Sequence, residues 1–204
     1  IVTSFLDVEN PVKVHLPKVE SLLADKLTAF APATVGVPLT PQYSQQVIKQ
    51  LFDVAQLFDI AEDLEIIKSE NFNSFQAEAT YRGFNDGYEA YLEDVIETSY
   101  QLCAIDLKGA PTDNKEQTDL MRKGINQLSN HLISAPFRLT QAKIAAAKAA
   151  HLAMILSSNY DKKVISKFLS PQRNELATAN VHKRYQCLNR LKSFAPECFH
   201  YWTL

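Results

Sequence analysis

The sequence predicts a mainly α protein, a helical bundle with one or two short strands at its start. Three observations carry that prediction. Apolar residues recur at helical spacing from Val19 almost to the end of the chain. Proline and glycine punctuate the chain often enough to keep the connections short, as in a bundle. Alternation of the strand kind is confined to the opening residues.

The elements follow in order. Ile1–Leu6 and Val12–Leu16 are rich in β-branched residues, and Val12, Val14 and Leu16 alternate with Lys13 and His15. A lone strand pair is marginal in water, so these strands are expected to finish a sheet begun elsewhere. Pro17 is suited to a helix start, and Val19, Leu22, Leu23, Leu27 and Phe30 share one side of the helix that follows. Ala31–Pro41 reads as a loop. A second helix is expected from Ser44 to Ala61, with Val47, Ile48, Leu51, Val54, Ala55 and Phe58 together. Asn73–Asp106 reads as one long helix or two, with a break at Asn85-Asp86-Gly87. Its second part carries a bundle-type seam of Tyr88, Tyr91, Leu92, Val95, Ser99 and Leu102. Lys108–Asn114 is a turn. Helices are then expected at Thr118–Ser134, at alanine-rich Thr140–Ser157, at Val164–Leu169 and at Asn174–Lys192. The domain division is 1–17 for the strands and 18–204 for the helices.

Composition bounds the chemistry. With 46% hydrophobic and 22% charged residues over 204 positions, the chain has a globular composition, which excludes disorder and collagen-like repeats. No apolar run is long enough for a bilayer, so no membrane partner is expected. Three cysteines without C-x-x-C spacing argue against a disulfide framework and for a reducing cytoplasm. None of the five glycines stands in a phosphate-cradling motif. Beginning at Ile1, with Met121 and Met154 its only methionines, the chain is expected to lack something ahead of it. The net charge of −2 conceals a division. Residues 1–135 carry 10 basic and 20 acidic side chains, a net −10, whereas residues 136–204 carry 11 and 3, a net +8. Either the basic end meets a polyanion or the acidic part docks on it.

Two charged pairs stand out. At 100° per residue with Val19 at zero, Lys26 falls at about 340°, inside the apolar stripe, with Asp25 at about 240° on its margin. A lysine there snorkels, pairs, or meets phosphate as a point charge. On the second helix Asp53 lies on the polar flank beside Lys49, an i,i+4 pair of the ordinary solvated kind.

Ala24-Asp25-Lys26-Leu27-Thr28-Ala29, followed by Lys49-Gln50-Leu51-Phe52-Asp53-Val54, resembles the AbiEii/AbiGii-type nucleotidyltransferase toxins of abortive-infection and toxin–antitoxin systems. The two segments lie within the first quarter or so of the chain, up to Leu57. The resemblance implies a nucleotidyltransferase core followed by a helical C-terminal region. It also implies transfer of a nucleotidyl group from an NTP, with Mg²⁺, onto an RNA acceptor such as tRNA, arresting growth or blocking phage. Lys26 and Asp53 would then be catalytic, with Asp25 and Lys49 in support. The family's Gly-Ser turn and Asp-x-Asp metal pair are missing here, and Gln50 stands where many members carry an aspartate. The implied reading is a C-terminal part, inactive alone, whose strands complete the sheet of a missing core. It has no metal site of its own and implies no stable protein partner. Arg138, Lys143, Lys148, Lys162, Lys163, Lys183, Arg184 and Arg190 would hold the RNA backbone.

The alternative is a non-enzymatic helical interaction domain with a basic end for nucleic acid or protein. His151 shares a face with Ile144, Ala147, Met154 and Ile155 and reads as a satisfied core histidine. The aromatic tail Phe199, Tyr201 and Trp202 is expected to dock on the bundle rather than stack bases. The Arg–His spacings, Arg122 to His131, Arg173 to His182 and Arg190 to His200, are too wide for a HEPN-type ribonuclease.

Overall fold

A computed structural model describes residues 15–110, 114–133, 136–157 and 178–203. Among these the regular structure is helical: α1 (Val19–Ala29), α2 (Ser44–Phe58), α3 (Leu64–Arg82), α4 (Tyr88–Ala104), α5 (Lys115–Ser129) and α6 (Leu139–Ser157). A 3₁₀ helix (Lys183–Arg190) and two short helices, α7 (Leu191–Phe194) and α8 (Pro196–His200), complete it. The expected strands lie almost wholly outside the described residues, as do the expected helix at 164–169 and residues Lys162 and Lys163. No helix among the described residues is long and apolar enough to cross a membrane.

The centre is α6. A helix that is buried nearly all round belongs inside a bundle, and α6 buries Ala142, Ala145, Ala146, Ala147, Ala149, Ala150 and Ala153 around most of its circumference. Small side chains let α4 and α2 lie against it, with α8 seated near them. α5 crosses α2 at Gly124. A Cβ there would stand 2.3 Å from the Ser44 carbonyl oxygen, so only glycine permits the approach. α1 rests between α2 and α3.

Two boundaries depart from expectation. α3 begins nine residues before Asn73, because the Asp63 carboxylate caps it by accepting from the Ile66 N–H at 3.2 Å. Its buried residues, Ile67, Asn71, Phe75 and Ala79, recur every four positions and interrupt an otherwise polar sequence. The expected helix at 174–192 is not continuous over its described residues, 178–192. Tyr185, Leu188 and Leu191 are buried three residues apart, a period that a 3₁₀ turn places on one edge and an α-helix does not.

Candidate functional site

The face that α1 buries is rotated from the stripe drawn on apolar residues alone. Leu23, Leu27 and Phe30 are buried, as expected, but so are Ala24 and Thr28, while Val19 and Leu22 are only partly covered. The cause is Asn71 of α3. Its Nδ2 lies 3.1 Å from the Ala24 carbonyl, 3.2 Å from Thr28 Oγ1 and 2.9 Å from the Tyr91 hydroxyl. Tyr88 donates to its Oδ1 at 2.7 Å. A fully buried amide needs such partners, and they draw the Ala24–Thr28 side inward. Lys26 therefore stands at the edge of the buried arc instead of its middle. Its side chain is 29% exposed and its Nζ lies 2.9 Å from Asp25 Oδ2.

On α2 the pattern is as drawn. Asp53 is 24% exposed at the flank, and Lys49 donates to its Oδ2 at 2.7 Å. Among the described residues no ion pair joins Lys26 to Asp53. The neighbouring Gln50 keeps its Oε1 buried with no hydrogen-bond partner there. Each carboxylate faces a lysine, and among the described residues no group of three or more His, Cys, Asp or Glu side chains could hold a metal.

The loop between α1 and α2 fixes how the two helices present those pairs. Asp94 of α4, which sequence reasoning missed, reaches into it. Its Oδ2 accepts from the Ala33 N–H at 2.8 Å and the Thr34 hydroxyl at 2.9 Å, and its Oδ1 accepts from Thr98 at 3.1 Å. Burial raises the Asp94 carboxyl above its usual range, and the three donors pull it back in part. The signal was present: an acid only three residues after Tyr91, on the edge of an apolar seam. Gly36 closes the loop, its N–H on the Ala31 carbonyl at 2.8 Å, where a Cβ would meet the Ala31 N at 2.5 Å.

The basic end divides. Lys143 and Lys148, expected on RNA, are buried in α6 at 4% and 6% exposure. Lys143 Nζ donates to the Ile105 carbonyl, and burial lowers its pKa. Lys148 Nζ meets both Asp59 oxygens at 2.6 and 2.8 Å. Lys143 is turned inward onto a backbone carbonyl, and Lys148 is covered and neutralised by Asp59, a half-exposed carboxylate at the bundle's edge. Arg184 is exposed but forks onto Glu93 and, at 2.9 Å, Glu97 of α4. For Lys148 and Arg184 the charge division is met inside the molecule, whereas Lys143 meets a backbone carbonyl. Arg138, Lys183 and Arg190 are exposed, and no carboxylate among the described residues pairs with them. Arg138 borders a concavity of about 440 Å³ with Asn126, Ser129 and Asn130, beside an Arg122 held by Asp106 at 2.5 Å.

His151 and the aromatic tail belong to the core. His151 is 2% exposed with Nδ1 3.1 Å from the Tyr201 carbonyl, and Phe199, Tyr201 and Trp202 are buried. Comparison with known proteins returns nothing: no family model, no curated protein and no solved structure matches the chain.

Proposed function

We propose that the chain is the helical part of a nucleotidyltransferase toxin. The intact protein moves a nucleotidyl group from an NTP to an RNA acceptor, tRNA foremost, in the cytoplasm, and so arrests growth or blocks phage. The carboxylates that hold Mg²⁺ belong to a core outside these 204 residues, and the chain is inactive alone. One observation carries the reading. The Asp25-Lys26 and Lys49–Asp53 pairs sit on two helices that pack together, with Lys26 left accessible at the rim of the buried face. The Asp94 and Gly36 contacts stiffen the intervening loop, which is what a group that meets substrate requires of its support. Lys26 supplies positive charge to the triphosphate, and Asp53 holds its flank through Lys49.

In the intact protein Lys26→Ala lowers NTP-dependent labelling of tRNA at least about 100-fold and relieves growth arrest, as removal of a transition-state charge contact does. Labelling retained in Lys26→Ala refutes the role. A second reading is favoured by the short Lys26–Asp25 contact, which leaves the ammonium already paired. It is a non-enzymatic helical interaction domain, and absence of NTP-dependent labelling by the intact wild-type protein supports it.

A further inference from the structure

The turn after α4 and the 3₁₀ helix border an open, shallow concavity of about 490 Å³ lined by Lys108, Gly109, Gln186, Cys187, Asn189 and Arg190. None of the six is acidic. The Lys108 ammonium and the Arg190 guanidinium have no ion-pair partner among the described residues, unlike Lys148 and Arg184. Asn189 uses its Oδ1 to accept from the Val181 N–H at 3.3 Å, which leaves its amide hydrogens to donate. Gln186 is exposed beside it. Two cations and two amides around one hollow, with no competing carboxylate, recognise an anion with several acceptor oxygens.

The geometry points to a seat for the phosphates of an RNA strand at this concavity, with Lys108 and Arg190 as its charged contacts. The inference rests on the RNA-acceptor reading above. It replaces the buried lysines of α6 with Lys108, which charge counting along the C-terminal part overlooks. A strand is favoured over a small anion because Lys183 lies exposed and unpaired in the same 3₁₀ helix, extending the positive surface beyond the hollow.

Cys187 provides the probe. It is the only one of the three thiols with any access, since Cys103 and Cys198 are fully buried. The full chain is titrated with a fluorescein-labelled ten-uridine RNA at 50 to 200 mM salt, and Cys187 alkylation by N-ethylmaleimide is timed in parallel. The RNA is expected to bind and to slow alkylation. Lys108→Gln with Arg190→Gln makes the slope of log K against log salt shallower by about 1.4, since each single-strand contact contributes about 0.7. Lys68→Glu, an exposed change on α3, leaves the slope as it was. An unchanged slope in the double variant, no binding at 50 mM salt, or equal protection of Cys187 by inorganic phosphate at matched phosphate concentration each overturns the seat. This arm needs no turnover. Expected binding together with no NTP-dependent labelling by the intact protein refutes the transferase reading and leaves the seat standing.

Discussion

His151 links the core to pH. Burial drives its pKa from 6.5 down to about 3; the nearby His200 charge pushes the same way, and the hydrogen bond to the Tyr201 carbonyl opposes both in part. A carbonyl only accepts, so Nδ1 carries the hydrogen and the ring is neutral when folded. The unfolded chain takes up a proton below pH 6.5 and the folded one does not until about pH 3. Stability is therefore intact above pH 6.5 and falls as pH drops through that window, by roughly 1.4 kcal/mol per unit once well below 6.5. Between pH 7 and pH 5 the loss is about 2 kcal/mol. The perturbation is His151→Gln, which keeps an amide donor near the Tyr201 carbonyl and removes the titration. Urea unfolding is followed by the fluorescence of Trp202, the single tryptophan, buried beside Tyr201. Wild type is expected to lose about 2 kcal/mol more than His151→Gln over that interval. The raised Asp94 gains stability on acidification, while the lowered Glu20 and Asp106 lose it below the carboxylate range. All three are common to both proteins and cancel in the difference. Equal losses refute the reasoning.

Two more outcomes follow from packing. Gly124→Ala drives a Cβ into the backbone of Ser44 and destabilises by about 1–3 kcal/mol, read as a lower urea midpoint at unchanged m. Asp59→Ala strips the buried Lys148 ammonium of its close partner and leaves Glu197 at 3.9 Å as its one carboxylate among the described residues, so it costs about 1–3 kcal/mol in the same assay. An unaltered midpoint in either variant counts against the corresponding contact.

Periodicity read α1, α2, α4 and α6 to within a few residues, because each carries large apolar side chains or alanine at helical spacing. α3 was legible only in part, since its four core residues stand alone among polar ones and one of them is Asn71. The orientation of α1 escaped for the same reason: Ala24 and Thr28 are turned inward by that amide, which lies 43 or more positions downstream. α6 defeated the charge argument. Alanine all round leaves no apolar stripe against which to place Lys143 and Lys148, so a count of cations cannot separate buried ones from surface ones. The partners of Lys148 and Arg184 lie about 90 positions away, beyond any local pattern.

The aromatic tail has a consequence of its own. Phe58 and Lys148 both abut the Tyr201 ring, at 5.7 and 5.9 Å, and the Tyr201 carbonyl receives His151. The stretch from Pro196 to Trp202 thus covers His151 and the flank of Lys148. Loss of that stretch would strip His151 and the Lys148 stem of cover at once, so the order of one short segment bears on several buried contacts.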